Sequence, residues 1–169
     1  MKGIVVADTG PLIGLAGAGR LELLERLYGS VLIPPAVHDE FQVSSKRPGA
    51  VQLESALGQG WLKIHDLPIP AADSAAELAS VLDAGEAEAI VLAGYIDCRF
   101  LLIDDRRGRG IAKRRGIPVV GVAGILLAAK HHGLIDAVVP VMHELAREGY
   151  RLSSGLIEEI AKVADEPII

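Results

Sequence analysis

"IVVADTGPL", residues 4–12, decides how the chain is read. Ile4, Val5, Val6 and Ala7 form a short apolar run bounded by turn residues, the pattern of a buried strand. The run ends in Asp8, followed by Thr9, Gly10 and Pro11. A buried strand has no use for a carboxylate at its end unless negative charge is needed there. The candidates are a phosphate site, a metal site or a helix cap. The same form returns at "RFLLID", residues 99–104, where another apolar run ends in Asp104.

Working outward, strand and helix signals alternate along the chain. "RLELLERLYG" (20–29) places Leu21, Leu24 and Leu27 at helical spacing, with Gly29 as a stop. "VLIP" (31–34) predicts a second strand, and "PPAVHDEFQ" (34–42) a helix with prolines at its start. "GAVQLESALGQG" (49–60) predicts a helix and "WLKIH" (61–65) a third strand, with Leu62 and Ile64 alternating along it. "LPIPAADSAAEL" (67–78) reads as a loop running into a helix, and "AGEAEAIVLAGYI" (84–96) as a helix opened by Gly85. "RFLLID" is strand four, "RRGRGIAKRRG" (106–116) a short basic helix, and "IPVVGV" (117–122) strand five. Helices over "AGILLAAKHHGLI", "VVPVMHELAREG" and "SSGLIEEIAKVADE" close the chain, the last with Ser153 or Ser154 as N-cap. Buried strands joined by helices imply a parallel sheet covered on both faces. Ligands of such sheets sit beyond the carboxyl ends of the strands, where Asp8 and Asp104 both lie.

Composition narrows the function classes. The 169 residues suit one domain, and half of them are apolar with few aromatics, so the core is aliphatic. No apolar run is long enough to span a bilayer and no signal segment opens the sequence, which predicts a cytoplasmic protein with no membrane partner. The single cysteine, Cys98, excludes an internal disulfide and a cysteine-based zinc site, and is read as a small core residue. A net charge of −5 argues against indiscriminate polyanion binding. It leaves room for the local basic run "DDRRGRGIAKRR", residues 104–115, which carries Arg106, Arg107, Arg109, Lys113, Arg114 and Arg115.

Four segments supply carboxylates that an α/β fold can gather. They are Asp8, then Asp39 and Glu40, then Glu86 and Glu88, then Asp104 and Asp105. Close carboxylates repel, and one keeps its proton unless a cation is present. A hard divalent ion removes that penalty and takes oxygen ligands, so Mg2+ or Mn2+ fits the residue types, while no Cys/His set suggests zinc. Each residue also has a plain structural explanation. Asp8 caps the turn at Pro11, Glu86 and Glu88 complement a helix dipole, Asp104 and Asp105 pair with Arg106 and Arg107, and Glu40 lies exposed on its helix. Those explanations leave the recurrence of strand-end aspartates without a cause.

"IVVADTGPLIGLA", "IPPAVHDEF", "LDAGEAEAIVLA" and "LLIDDRRGRGIAKRRGIPVVGVAGIL" together resemble a PIN domain, and most of all the short stand-alone prokaryotic group related to VapC-type toxins. The resemblance covers about residues 3–130 in order and the later helices more loosely. It implies a three-layer α/β/α sandwich with a central, mainly parallel five-stranded sheet. Residues 1–169 would form one domain, with a core over about 3–130 and a C-terminal helical extension over about 131–169. It also implies an acidic site binding Mg2+ or Mn2+ and metal-dependent cleavage of RNA. Carried over by position, Asp8 matches the first acidic residue, Glu40 the second and Asp104 the strand-four residue, with Asp105 beside it. The third falls on Glu86 or Glu88: counting back from Asp104 favours Glu86, while the "AI" step favours Glu88. Asp8, Glu40, Glu86 and Asp104 are then the catalytic candidates, and the metal candidates add Glu88 and Asp105. Thr9 matches a hydroxyl that supports the first Asp or contacts substrate, and Arg106, Arg107 and Arg109 are candidates for holding RNA.

The resemblance further implies a toxin-type role with an antitoxin protein as partner. It also implies a homodimer, which the aliphatic C-terminal helices favour as well. Where many toxins carry a Thr-Arg-Asn-like string after strand four, this chain has Asp104, Asp105, Arg106 and Arg107. A haloacid-dehalogenase-type phosphatase would need a second Asp two residues after Asp8, where Gly10 stands. Ser44 and Ser45 have no recognisable general base, and His131 and His132, being adjacent, make no ligand pair. The remaining alternative is a non-catalytic RNA- or protein-binding module that keeps the fold.

Overall fold

The computed structural model describes residues 3–43 and 49–168. Ser44 and Ser45 lie outside them. Five short strands, β1 (Val5–Ala7), β2 (Val31–Ile33), β3 (Leu62–Ile64), β4 (Phe100–Leu102) and β5 (Val119–Val120), form one parallel sheet in the order β3-β2-β1-β4-β5. Parallel neighbours need crossovers, and helices supply them. α1 (Thr9–Gly17) and α2 (Glu22–Tyr28) connect β1 to β2, and α3 (Pro35–Val43) and α4 (Ala50–Gln59) connect β2 to β3. α5 (Ile69–Leu78) and α6 (Ala84–Tyr95) connect β3 to β4, and α7 (Arg106–Arg114) connects β4 to β5. α8 (Val122–His131), α9 (Val139–Arg147) and α10 (Ser154–Ala164) follow.

Strand alternation divides the core in two. Val5, Ala7, Phe100 and Leu102 point to one face, against Leu12 and Leu15 of α1, Leu24 of α2, Ile125 of α8 and Met142 of α9. Val6, Leu101 and Ile103 point to the other, against Ile90 of α6 and Ala112 of α7. The result is the α/β/α sandwich, with both faces of the sheet covered. Cys98 is buried in the second layer, and burial raises its thiol pKa to about 11.

Several local expectations change in the folded chain. α1 was not legible as a helix, because its residues are apolar or small on every side. Helix α5 begins almost at once after Pro68 rather than after a loop. Ile64 is 44% exposed although it alternates with buried Leu62, because β3 is an edge strand. Most aliphatic side chains of the C-terminal helices face inward: Met142, Leu145, Ile160 and Ala164 belong to the same core as Leu12 and Leu15, while Val163 is exposed. They are committed within the chain, so their composition no longer favours a dimer. No helix among the described residues is long and apolar enough to cross a membrane.

Candidate active site

The chain leaves β1 toward β2 on one side, while β4 leads to β5 on the other. Between β1 and β4 the strand order reverses, the place beyond whose carboxyl ends sheets of this kind bind ligands. Ala7 sits opposite Leu102, and the Asp8 N–H donates to the Leu102 carbonyl at 2.9 Å. Asp8 and Asp104 therefore leave the sheet from neighbouring strands at the same end.

Asp8 occupies the N-cap position of α1, but its side chain makes no cap hydrogen bond. It is 5% exposed, and its Oδ1 is buried with no hydrogen-bond partner among the described residues. Burial, helped by the charges of Asp83, Glu40 and Asp105, raises its pKa to about 7, against some relief from the Thr9 backbone N–H. The helix-cap explanation for this carboxylate therefore does not account for it. Thr9 is also buried, and its hydroxyl likewise completes no hydrogen bond.

Around Asp8, helix N-termini hold the other carboxylates. The Glu40 Oε1 accepts the Gly85 N–H at 3.0 Å at the start of α6. A side chain at Gly85 would collide with that carboxylate, so glycine is needed for the approach. In exchange, Glu88 Oε1 accepts the Ala36 N–H at 3.0 Å at the start of α3. Each helix thus caps the other. Burial raises the pKa of Glu40; the nearby Thr9 hydroxyl opposes the rise and Asp83 adds to it. Glu86 is 8% exposed and joins Asp83 in a capping box. Glu86 N donates to Asp83 Oδ1 at 2.8 Å, and Asp83 N to Glu86 Oε1 at 3.3 Å. Burial, then the charges of Asp83, Asp8 and Asp105, raise its pKa to about 8. Asp105 caps α7 by accepting the Gly108 N–H at 2.7 Å.

The structure thus places Asp8 within electrostatic range of Glu40, Glu86 and Asp105, and Glu86 within range of Asp105. Asp104 is linked to this group on its far side: its Oδ2 accepts the Val122 N–H at 3.1 Å and the Tyr150 hydroxyl, and Tyr150 feels the charges of both Asp104 and Asp8. Burial, then Asp104, push the Tyr150 hydroxyl far above its ordinary pKa, so it remains a donor. Glu86 and Glu88 separate clearly, Glu86 facing Asp8 and Glu88 facing α3. Asp39 is exposed.

The basic residues divide as well. Arg106 and Arg107 are exposed, with Arg107 Nη1 3.3 Å from the Val81 carbonyl. Arg109 is half-buried and donates to the Ile103 carbonyl at 2.9 Å, so its guanidinium turns toward the end of β4. Among the described residues no ion pair joins Asp104 or Asp105 to Arg106 or Arg107. His131 and His132 are exposed.

Sequence reasoning missed two residues of this region. Asp83 had a readable signal, the Asp-x-x-Glu spacing of a capping box before an apolar run. Tyr150 had none, lying 46 positions from Asp104.

Among the described residues, no three Asp, Glu, His or Cys side chains stand close enough to hold one ion together. The carboxylates gather around Asp8 without forming a coordination shell. Their chemistry still suits a hard divalent cation. The donors are all oxygen, Asp8 Oδ1 is buried without a partner, and burial, with acidic neighbours adding to it, raises the pKa values of Asp8 and Glu86.

The sequence model of one protein family, described as a PIN domain, matches residues 4–166. The chain belongs to the PIN-domain family. The match takes in the C-terminal helices as well as the sheet, so α8 to α10 fall within the family's own extent. PIN domains are as a class nucleases, which gives the acidic cluster a general chemical setting. A search of the curated proteins finds no match for this chain.

Proposed function

We propose that this PIN domain is a Mg2+- or Mn2+-dependent endoribonuclease acting on single-stranded or structured RNA. The observation that carries the reading is Asp8, a buried carboxylate with an unpartnered oxygen, surrounded by other acids where two neighbouring strands end. Asp8, Glu40, Glu86 and Asp104 are the residues proposed to contribute to holding the ion, together with Asp105, whose charge reaches both Asp8 and Glu86. Glu88, whose Oε1 caps α3, is left out. When bound, the ion supplies Lewis acidity, which activates an attacking water and offsets charge developing on the phosphoryl group.

The remaining roles belong to the chain itself. Asp8 and Glu86 lose their protons only near neutral pH and above, so the site becomes fully anionic in the range where a cation is most needed. The Thr9 hydroxyl, buried beside Glu40, is placed to support that carboxylate or to donate to a phosphate oxygen. Arg106 and Arg107, exposed at the start of α7, can hold the RNA backbone without reading its sequence. A toxin role with an antitoxin partner, and a homodimer, are further proposals that rest on the resemblance alone.

Cleavage of an end-labelled single-stranded RNA tests the reading. Products that appear with Mn2+ and stop with a chelator are expected. Tight RNA binding with no cleavage in Mn2+ would instead favour the binding-module alternative.

A further inference from the structure

We infer that the outer face of α7 is a track for the sugar–phosphate backbone of single-stranded RNA, running from the acidic site to a second holding point at Lys113 and Arg114. The inference rests on the RNA reading above, extends it to the length of the substrate, and needs no bound ion.

Charge singles this helix out. Residues 106–115 hold six of the 17 basic residues in a chain that carries 22 acidic ones, and no acid lies among them. Among the described residues the ion pairs are Arg20–Glu144 and Lys130–Glu166, so neither α7 nor Arg115 beyond it pairs with a carboxylate. The helix dipole accounts for Lys113 and Arg114 in the last turn, but it opposes Arg106 and Arg107 in the first. Like charges left unpaired at both ends of one short helix gain little from the fold itself. A polyanion is the partner that neutralises them together.

Geometry turns the charges into a line. Arg106 and Lys113 are seven residues apart, as are Arg107 and Arg114, so each pair falls on one side of the helix. All four are exposed, whereas Gly108 and Ala112 are buried. Arg114 leans back between the two ends: its Nη1 would lie 3.6 Å from a Cβ at Gly110, and no other atom stands within 4 Å of that position. The bare backbone at Gly110 therefore leaves room for a strand to approach closely. Two forks are anchored from outside the helix. Arg107 Nη1 donates to the Val81 carbonyl at 3.3 Å, and Arg115 Nη1 to the Ser74 hydroxyl at 3.5 Å. A guanidinium held in this way loses less freedom when its remaining donors meet a phosphate. The helix starts at Asp105, whose charge reaches Asp8, and its last turn lies about 12 Å further along the axis. That is the reach of a few nucleotides to one side of the acids. This continuity with a site read as acting on phosphodiesters favours RNA over an acidic protein. Contacts of this kind position a strand without reading its bases.

Fluorescence anisotropy tests the track in EDTA, with neither metal nor cleavage. The probe is a labelled single-stranded RNA of about 12 nucleotides, within the usual site sizes for such strands, titrated at several KCl concentrations. Lys113→Gln with Arg114→Gln removes the far charges and keeps good helix formers. Arg147→Gln with Lys162→Gln removes the same charge from exposed positions on α9 and α10. The α7 pair is expected to bind about tenfold more weakly and to flatten the log–log salt slope by about 1.4, at about 0.7 per lost phosphate contact. The control pair should bind as wild type does, and both should keep its melting temperature. An α7 pair that loses no more affinity and slope than the control overturns the track, as does a wild type that fails to bind the RNA in EDTA. A polyglutamate peptide of equal charge that binds wild type more tightly than the RNA, and loses as much in the α7 pair, assigns the face to an acidic protein and also overturns it. The nuclease reading fails separately. RNA held by α7 in EDTA yet left uncut in Mn2+ supports the track and removes the endoribonuclease. Cleavage by wild type, with an α7 pair that binds like the control, does the reverse.

Discussion

Glu166 and Asp8 both carry buried carboxylates, and the fold handles them in opposite ways. The Glu166 side chain is 7% exposed and fully engaged. It accepts the Lys130 ammonium at 2.8 Å, the Val138 N–H at 2.7 Å and the Val139 N–H at 2.8 Å, closing the C-terminal segment onto the start of α9. Burial alone would raise its pKa, but the Lys130 and backbone hydrogen bonds reverse the effect and lower it. Asp8, with 5% exposure, has no cation, an unpartnered oxygen and a raised pKa. The same chain therefore satisfies a buried acid where the role is structural and leaves one unsatisfied at the strand ends. Strain left uncompensated at the strand ends is a pointer to function rather than to stability.

The comparison breaks most decisively through activity. Asp8→Asn is nearly isosteric and is expected to lower RNA cleavage by more than about 100-fold in a protein that still folds. Cleavage at the wild-type rate would make Asp8 an ordinary buried residue. Glu166→Ala should do the reverse, keeping the site and losing stability. Leaving the Val138 and Val139 N–H groups without their acceptor, and Lys130 with only the Ala164 carbonyl, costs about 2–4 kcal/mol, or roughly 4–16 °C in Tm by calorimetry. Because its folded pKa is lowered, the contribution of Glu166 is complete above the ordinary carboxyl range and is lost as the pH falls through the folded value.

Asp8 and Glu86 have the opposite linkage. Their stabilising contribution is greatest below about pH 4, where folded and unfolded chains are both protonated. It is lost as the pH rises through about 7 for Asp8 and about 8 for Glu86. Asp8→Asn should therefore raise the melting temperature of metal-free protein at pH 8, by about 2–4 °C per kcal/mol of relieved desolvation and repulsion, and change it little below about pH 4. Mn2+ at about 100 times its dissociation constant should stabilise wild type at pH 8 by about 2.7 kcal/mol, and much less at pH 5. The smallest effect belongs to the basic helix. Arg106→Glu with Arg107→Glu should weaken RNA binding across sequences and flatten the log–log salt slope by about 0.7 per lost phosphate contact. An unchanged slope in the folded double variant removes these arginines from the RNA surface.

Much of this arrangement was legible in the residues, and the exceptions have physical causes. Asp8 and Asp104 stood out because an apolar run that ends in a carboxylate is a one-dimensional signal. Ser153 was readable as a cap for the same reason, and it accepts the Leu156 N–H at 3.1 Å. The choice between Glu86 and Glu88 was not, since two residues apart on a helix point different ways and only the neighbouring elements fix which way is inward. Arg109 was grouped with Arg106 and Arg107 as a candidate for holding RNA, and its turn toward the Ile103 carbonyl, which depends on where β4 ends, had no local signal. Strand order and the Tyr150–Asp104 contact are long-range facts, with no local trace in either partner.

The central place of β1 has a consequence for how the molecule comes into being. The first strand of the chain pairs with β4, about a hundred residues later, and the last part of the acidic region to arrive is Tyr150. Closing such a loop costs entropy before the pairing repays it, so these contacts form late. During synthesis, Asp8 exists long before Asp104 and longer still before Tyr150. A growing or truncated chain therefore carries isolated pieces of the acidic cluster without assembling it, and whatever hydrolytic power the finished protein has is withheld from its unfinished forms by topology alone.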